Sequence, residues 1–302
     1  MENFNQNRRS FIASLVAGAS TLSSWDALGN LAPSKPIIGA HLWVYASKYP
    51  PNWDCTPDLE QIFSDLRYAG IEGLEVMHTN LKHPEAVDLL GSLITKYNLP
   101  VIGSSYGGDL WNVEKHGEIL EEVDLFFEKM EKLKAKNFGI SVGDARRKKT
   151  EKELDDQAQV LKKIRSLGDP RGMVCNLHNH TYEVINNLHD LKGTLSRIPD
   201  FPLGPDLNWL VRGAVDPVSF INQYGNQLVY LHLRDQNQSG VWSEALGEGD
   251  MDYVAIASAL KKISFKGVAT IELAFPSGFK PTRPLRESWK MSREFVKKTF
   301  GW

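Results

Sequence analysis

Short apolar runs alternate with amphipathic stretches from Pro36 to the end of the chain. Most of these runs are continuous, which is typical of parallel strands that are buried on both faces. They predict eight strands, at residues 36–44, 71–77, 99–104, 137–142, 172–178, 201–207, 227–233 and 267–273. Between the runs, apolar residues recur at helical spacing, as in Leu59, Ile62, Phe63 and Leu66. The pattern therefore predicts eight strand–helix units.

Eight such units in about 270 residues favour an α/β fold of the closed (β/α)8 TIM-barrel type. The alternative is an open, doubly wound sheet, which usually carries a glycine-rich turn after its first strand. The residues that follow His41 contain no such turn, and no phosphate-binding loop pattern occurs in the chain. We therefore predict a single TIM-barrel domain over residues 35–302.

Residues 1–34 differ from the rest of the chain in composition. Arg8 and Arg9 precede Ser10-Phe11-Ile12 and a short run of small apolar residues, which is the arrangement of a secretory signal. The arginine pair resembles the twin-arginine export signal. The apolar run is too short and too rich in glycine and serine to span a bilayer stably. We expect residues 1–34 to be a signal peptide that directs export to a bacterial periplasm, and we expect no stable membrane span.

Charge and cysteine content narrow the classes of function. The formal net charge is −2, which argues against nucleic acid as the main partner. The two cysteines cannot build a disulfide framework or a four-thiolate zinc site. With 8 His and 37 acidic residues, imidazole and carboxylate groups are the available metal ligands.

Polar residues stand at the ends of the last four predicted strands, where apolar burial would not select them. They are His178, Asp206, His232 and Glu272. The carboxyl ends of the strands carry the active site of a TIM barrel, and a buried carboxylate is costly unless it is paired or bound to metal. Because neighbouring strands lie about 5 Å apart, the four side chains can converge. We predict that they bind one divalent metal ion, Mn²⁺ by preference, with Co²⁺, Zn²⁺ and Mg²⁺ as alternatives.

Six short motifs surround these positions. They are Gly73-Leu74-Glu75, Leu177-His178-Asn179-His180, Pro205-Asp206, Leu231-His232-Leu233-Arg234-Asp235, Gly247-Glu248-Gly249-Asp250 and Ile271-Glu272. In this order they resemble the xylose isomerase-like TIM-barrel superfamily, the sugar phosphate isomerase/epimerase family, from residue 36 onward. The resemblance implies a divalent metal at the ends of strands five to eight, held by the four residues named above.

At one position the chain departs from the family pattern. Many sugar epimerases of the family carry a metal-bound glutamate where this chain has His178, and they use two such glutamates as acid and base. The ligand on this strand is therefore either His178 or His180. For acid–base catalysis we assign Glu272, His180 and Glu75. For substrate binding we assign His41, Trp43, Arg234 and Trp209. Four further histidines belong to no group of candidate site residues and are predicted to lie at the surface, namely His78, His83, His116 and His189.

The reaction predicted from these residues is proton transfer next to a carbonyl, by a metal-dependent sugar isomerase or epimerase. An exported enzyme does not meet phosphorylated central metabolites, so the expected substrate is an unphosphorylated sugar or keto-sugar. His178 in place of a glutamate favours a one-base reaction, which makes a lyase that acts by β-elimination on a 3-keto-glycoside the alternative. A non-catalytic sugar-binding barrel and an apurinic endonuclease-type nuclease are the further alternatives. The nuclease would need a histidine at the position of Trp209.

Overall fold

The strands of this protein form one parallel sheet that curves into a nearly closed barrel. The computed structural model describes residues 35–302. Within them the sheet has the order β5–β4–β3–β2–β1–β7–β6. The strands are β1 Ile37–His41, β2 Gly73–Met77, β3 Val101–Gly107, β4 Asn137–Ser141, β5 Val174–Leu177, β6 Tyr230–Leu233 and β7 Val268–Glu272. The TIM-barrel fold predicted from the sequence is confirmed, and residues 1–34, where the signal peptide is predicted, lie outside the described part of the chain.

The sixth predicted strand, residues 201–207, is the exception. It forms only isolated bridges, through Leu203 to residues on both sides and through Asp206 to a residue of β6. Pro202 and Pro205 lack the N–H group that a continuous ladder needs, so the segment lies between β5 and β6 without becoming a regular strand. The prediction of a full strand at this position is wrong, although the place of the segment in the barrel is as expected.

Helices follow the strands and cover the outside of the barrel. Those in the described residues are α1 Trp43–Ala46, α2 Leu59–Tyr68, α3 His78–Lys82, α4 Ala86–Tyr97, α5 His116–Lys132, α6 Glu151–Gly168, α7 Thr181–Arg197, α8 Leu207–Arg212, α9 Pro217–Tyr224, α10 Tyr253–Lys262 and α11 Leu285–Phe300. Short 3₁₀ helices occur at Thr56–Asp58, Val113–Lys115, Asp169–Arg171 and Gly225–Gln227. None of the helices in residues 35–302 has the length and apolar character that a membrane crossing requires.

The helices pack on the strands through an apolar layer. Phe126 and Phe127 of α5 are fully buried, and Phe127 meets the ring of Phe138 from β4 edge-on at a centroid distance of 4.8 Å. Trp289 of α11 is also fully buried, and its indole N–H donates to the hydroxyl of Tyr45 at 3.0 Å. Burial of large rings on this scale is the main stabilising contribution to such a fold, because it removes extensive apolar surface from water.

The register of the strands places three of the predicted site residues in one row. His41 at the end of β1 pairs with Glu75 of β2 on one side and with Glu272 of β7 on the other. His232 lies in β6, which pairs with β7. The carboxyl end of the barrel therefore presents a band of imidazole and carboxylate groups, and this band is the base of the site.

Candidate active site

A cavity of about 440 Å³ opens at the carboxyl ends of the strands. It is lined by all of the predicted site residues except Glu75 and Asp206, which are buried in contact with lining residues. A cavity of this size with aromatic walls and a few polar groups is typical of a small-molecule site. The structure thus brings the residues proposed from the strand-end pattern into one place.

Three of the four predicted metal ligands come close together. Suitable ligand atoms of His178, Asp206 and His232 all lie within 4.8 Å of one another. Burial holds the pKa of the His178 imidazole well below its usual value, so this ring is neutral and keeps a lone pair for a metal. His180 is not part of the group, so of the two histidines considered for this position the structure places His178 with the other two ligands.

The Asp206 carboxylate supplies the test of whether a metal fits. Its Oδ1 atom accepts hydrogen bonds from the N–H groups of Asn208 at 2.8 Å and Trp209 at 3.0 Å, and it thereby caps α8. Its Oδ2 atom is buried and has no hydrogen-bond partner. A buried carboxylate oxygen without a hydrogen bond is costly, and here its nearest cation is the Arg234 guanidinium at 3.4 Å. Together with the imidazoles of His178 and His232, this oxygen makes a donor set that suits a divalent transition metal. To act as a ligand, His232 has to release one of the carboxylates at its ring nitrogens, Glu272 at 2.6 Å or Glu75 at 2.8 Å. The residues present therefore fit a metal ion.

Glu272 stands beside this group rather than in it. One of its oxygens lies 2.6 Å from Nδ1 of His232, and the other contacts the guanidinium of Arg234. To serve as the fourth ligand, Glu272 has to exchange one of these contacts for the metal. The four-ligand assignment therefore stays a prediction.

Glu75 is connected to the site through His232. Its Oε2 atom lies 2.8 Å from Nε2 of His232 and accepts a hydrogen bond of 2.8 Å from the hydroxyl of Tyr230. Burial alone would raise the pKa of Glu75, but the charge and hydrogen bond of His232 hold it below its usual value. Glu75 is only 2% exposed, and it adjoins the cavity through two lining residues, His232 at its Oε2 atom and Gly139, where a Cβ atom would lie 3.6 Å from its Oε1 atom.

His180 is held in the cavity wall by two hydroxyl groups. Its Nδ1 atom lies 3.2 Å from Oγ of Ser141 and 3.0 Å from the hydroxyl of Tyr182. Burial lowers the pKa of His180 to about 4, so the ring is neutral near pH 7. Nδ1 is engaged by these hydroxyls, so a substrate would meet the other ring nitrogen, and the acid–base role of His180 stays a prediction.

Glu183 supports this arrangement from behind. Its two oxygens accept from the Ser141 hydroxyl at 2.7 Å, the Val142 N–H at 3.1 Å and the His180 N–H at 2.6 Å. Burial raises the pKa of Glu183 to about 8, although the hydrogen bonds from Ser141 and from the His180 N–H lower it. Glu183 therefore fixes both the backbone of His180 and the hydroxyl that contacts its ring.

Arg234 lies against the rings of two tryptophans that meet each other edge-on. Its guanidinium carbon is 5.4 Å from the ring centroid of Trp209 and 5.1 Å from that of Trp242, which is cation–π distance. Its Nη2 atom lies 3.4 Å from Oδ2 of Asp206 and also contacts Glu272. The aromatic rings hold a charged group that neutralises two carboxylates, so its charge is already compensated before a substrate arrives.

His41 and Trp43 form the wall at the end of β1. The Nδ1 atom of His41 accepts from the Trp43 N–H at 3.3 Å and lies 3.6 Å from Glu272, while Nε2 lies 2.9 Å from Oγ of Ser105. Burial lowers the pKa of His41 to about 3, so His41 is a neutral ring that can offer hydrogen bonds but no charge. Trp43 packs against Trp53 at a centroid distance of 5.4 Å and faces the cavity.

Several residues of the wall were missed by the sequence analysis. Ser105, Ser141 and Tyr182 line the cavity, and so does His78, whose ring meets that of Tyr106 at a centroid distance of 5.3 Å. The prediction that His78 lies at the surface is wrong. His78 directly follows β2, so the strand-end rule could have identified it. The two serines carry no such signal, because serine is common at strand ends for many reasons.

The position of His116 is also predicted incorrectly. This residue is buried, and its Nε2 atom lies 2.8 Å from the carbonyl oxygen of Leu110, which gives it a role in holding the loop before α5. His83 and His189 are partly exposed and lie outside the cavity.

Comparison with known proteins assigns the family. Residues 63–299 match the model of the xylose isomerase-like TIM barrel family. The chain belongs to this family. The sequence of this xylose isomerase-like barrel is also 23% identical over 209 residues to an inosose dehydratase from Clostridium beijerinckii, in an alignment that covers 62% of this chain and 69% of the relative.

Solved structures show the same fold. A D-allulose 3-epimerase from Methylomonas sp. superposes with a TM-score of 0.71 at 16% identity, over 88% of this chain and 99% of the epimerase. A 3-keto-D-glucoside 4-epimerase from E. coli superposes with a TM-score of 0.65 at 16% identity, over 86% of this chain and 100% of the epimerase. At these identities the likeness establishes the xylose isomerase-like barrel and leaves the reaction to be argued from the site.

Proposed function

We propose that the protein is a metal-dependent sugar isomerase or epimerase that moves a proton on the carbon next to a carbonyl group. The observation that carries the proposal is the convergence of His178, Asp206 and His232 at the wall of a cavity that also contains Glu272 and His180. A divalent ion held by the first three would polarise the carbonyl oxygen of the substrate and favour loss of the neighbouring proton. The remaining residues supply the acid–base groups.

Glu272 is the group best suited to take the proton. Among the described residues that line the cavity it is the only carboxylate, and it lies beside the three candidate metal ligands through its contact with His232. His180 is neutral and positioned by Ser141 and Tyr182, so it is the second group able to hold a proton. Isomerisation between neighbouring carbons needs one base, whereas epimerisation needs a second group on the other face of the substrate, and in this proposal His180 is that group.

The cavity supports an unphosphorylated substrate. Among the described residues that line it, Arg234 is the only lysine or arginine, and its charge is compensated by Asp206 and Glu272. A phosphate group would find no uncompensated lysine or arginine there. This agrees with the proposed export through residues 1–34, which would keep the enzyme away from phosphorylated metabolites in the cytoplasm.

A lyase that eliminates a group from a 3-keto-glycoside is the second candidate. It is favoured by the hydroxyls of Ser141 and Tyr182 next to His180, because elimination needs a proton donor for the leaving group as well as a base. The similarity to an inosose dehydratase supports the same type of reaction.

Incubation in deuterated water separates the two reactions. The metal-loaded protein is given D-fructose, D-allulose or methyl 3-oxo-β-D-glucoside, and the products are followed by NMR. Deuterium next to the carbonyl with all substituents retained supports the isomerase or epimerase. Release of methanol with an unsaturated sugar supports the lyase. Neither deuterium nor product with any of the three sugars would contradict both proposals and leave a binding role.

A further inference from the structure

A second cavity, of about 460 Å³, lies directly beside the first. Four residues line both cavities, namely Tyr106, Gly107, Ser141 and Tyr182. Because the same four residues border both cavities, a group bound in the second cavity would lie next to one bound in the catalytic cavity. The proposed chemistry uses only the first cavity and leaves the second without a role.

Glycines shape the border between the two cavities. A Cβ atom at Gly107 would meet nothing within 4 Å, so a larger residue there would project into free space at the junction. Gly143 has a φ of +85°, and a Cβ atom on it would lie 2.5 Å from the carbonyl oxygen of Gly108. The two loops are held together by hydrogen bonds, including one of 3.1 Å from the N–H of Leu110 to the carbonyl oxygen of Val142. The wall is therefore a fixed part of the barrel.

The second cavity offers hydrogen-bond acceptors and negative charge. Its lining includes four carboxylates, Asp109, Glu118, Glu122 and Asp144, and a single lysine, Lys115. Asp109 already binds that lysine at 2.6 Å. Within the described residues, the side chain of Glu118 makes no hydrogen bond or ion pair and is exposed to the cavity. Carboxylates accept hydrogen bonds from hydroxyl groups and repel phosphates and acids.

Two tyrosines add aromatic surface to the shared wall. The Tyr106 hydroxyl donates to Glu122 at 3.2 Å, and the Tyr182 hydroxyl lies 2.8 Å from Oγ of Ser141. Each ring is therefore fixed at its hydroxyl end. The Tyr106 ring is buried and stacked on Phe138 at a centroid distance of 5.7 Å, whereas Tyr182 is partly exposed. The Tyr182 ring next to carboxylate acceptors suits a neutral, hydroxyl-rich group.

We infer that the substrate has a second sugar unit, joined through a glycosidic bond to the unit in the catalytic cavity, and that this second unit binds between Glu118, Asp144 and the two tyrosines. The inference rests on the proposed function for the occupant of the first cavity. It predicts that the protein recognises disaccharides or longer glycosides in preference to the free monosaccharide.

Paired sugars test the inference. Isothermal titration calorimetry on the metal-loaded protein gives the dissociation constants of two pairs of sugars. The first pair is D-fructose and maltulose, which carries a glucosyl unit on the same ketose. The second pair is methyl 3-oxo-β-D-glucoside and 3-oxo-cellobiose. In at least one pair we expect the two-unit sugar to bind about tenfold more tightly, which corresponds to one or two additional hydrogen bonds to charged acceptors.

A double variant and a matched control locate the effect. Glu118→Ala combined with Asp144→Ala removes two exposed acceptors of the second cavity, and we expect the advantage of the two-unit sugar to fall to about threefold or less. Glu121→Ala changes an exposed carboxylate of the same helix that lines neither cavity, and we expect it to keep the full advantage.

Equal affinities within both pairs, no measurable binding of any sugar, or an advantage that survives the double substitution would overturn the inference. The proposed function fails separately. If the two-unit sugars bind more tightly but no sugar exchanges deuterium or reacts, the inference about the second cavity is supported and the proposed reaction is refuted. If monosaccharides react and the second unit adds no affinity, the proposed reaction is supported and the inference about the second cavity is refuted.

Discussion

The guanidinium of Arg234 lies 3.4 Å from Oδ2 of Asp206, the carboxylate oxygen that has no hydrogen-bond partner. The same guanidinium contacts Glu272. Arg234 therefore places its positive charge beside two carboxylates that a divalent ion would also approach. In the metal-free protein the arginine is the main compensation for both negative charges. Its contribution to the stability of the fold therefore depends on whether metal is present.

Replacement of Arg234 by methionine tests this dependence. Removal of one partner from a buried ionic cluster leaves uncompensated charge, so we expect Arg234→Met to lower the free energy of unfolding of the metal-free protein by about 3 kcal/mol. Added Mn²⁺ should stabilise this variant more than the natural protein, because the ion then supplies the missing charge. Chemical denaturation with and without Mn²⁺ measures both quantities.

Arg212→Met is the matched control for that experiment. Arg212 also lies against the rings of Trp209 and Trp242, but its hydrogen bonds go to neutral groups such as the side chain of Gln236. Its loss should not change the stabilisation by metal. The same gain from Mn²⁺ in both variants would contradict the shared role of Arg234 and the ion.

Metal content distinguishes a ligand from a helix cap. Asp206 caps α8, and Asp216 caps α9 with a hydrogen bond of 2.9 Å from the Ser219 N–H. Loss of either cap costs about 1 kcal/mol of stability. We expect Asp206→Ala and His232→Ala each to lose most of the bound metal, and Asp216→Ala to keep it, in elemental analysis of the purified proteins. Full metal occupancy in these two variants would refute the ligand assignment.

The division of acid–base work between Glu272 and His180 is open to a direct measurement. Glu272→Gln keeps the shape of the side chain but cannot take a proton, so we expect kcat to fall by about 10²–10⁴-fold. His180→Asn should remove epimerisation while isomerisation persists, as seen in the products formed in deuterated water. His189→Asn, which changes a histidine outside the cavity, serves as the control. Undiminished epimerisation by His180→Asn would show that another group acts on the second face.

The raised pKa of Glu183 predicts a specific dependence of stability on pH. In the folded protein Glu183 holds its proton up to a pKa of about 8, whereas in the unfolded chain it loses the proton near its ordinary value of 4.5. The folded state therefore binds more protons, and stability falls as pH rises. Between pH 6.5 and 8 the buried histidines act in the opposite direction, because His41, His78, His178 and His180 have lowered pKa values when folded while unfolded imidazoles still bind protons near pH 6.5. The contribution of Glu183 is therefore obtained from the difference between the natural protein and a variant without this carboxyl group.

In this window we expect the free energy of unfolding to decrease by about 1–2 kcal/mol through Glu183. From pH 6.5 to pH 8 the free energy of unfolding should change by about 1–2 kcal/mol more negatively in the natural protein than in Glu183→Gln, which has no titrating group at this position. Glu121→Gln at the surface should behave as the natural protein does. Denaturation at a series of pH values gives the slopes. An identical slope in the natural protein and in Glu183→Gln would show that Glu183 is ionised when folded.

Export is tested by changing Arg8 and Arg9 to lysine. If the pair is part of a twin-arginine signal, the double variant should accumulate in the cytoplasm as the full-length precursor. Fractionation of cells and the mass of the mature protein check the outcome. Unchanged export would mean that the arginine pair does not direct it.

Polar residues within apolar strands made much of the site predictable from the sequence. Glu75, His232 and Glu272 each interrupt a buried strand, and parallel register then brings them to the same end of the barrel. The short sixth segment was also open to prediction, because Pro202 and Pro205 remove the N–H groups that a regular strand would need.

Other features depend on three-dimensional placement that local pattern does not contain. Whether Glu272 contacts a metal or Arg234 is decided by side-chain rotamers and by the tryptophans that hold the guanidinium. The second cavity depends on the close approach of two loops at Gly108 and Gly143, which lie on different strand–helix units. Neither glycine is distinguishable in the sequence from one in an ordinary turn.

Because the sixth segment is not a regular strand, a metal ion bound beside it would also hold β5 and β6 together. Regular ladders join the other strands, but β5 and β6 are connected through a segment with only isolated bridges. His178 follows β5, Asp206 belongs to the connecting segment, and His232 lies in β6. An ion bound by all three would cross-link the most weakly hydrogen-bonded joint of the barrel. Hydrogen exchange of the backbone amides along this joint would then slow on metal loading, and a chelator would open the barrel at the same place where it stops catalysis.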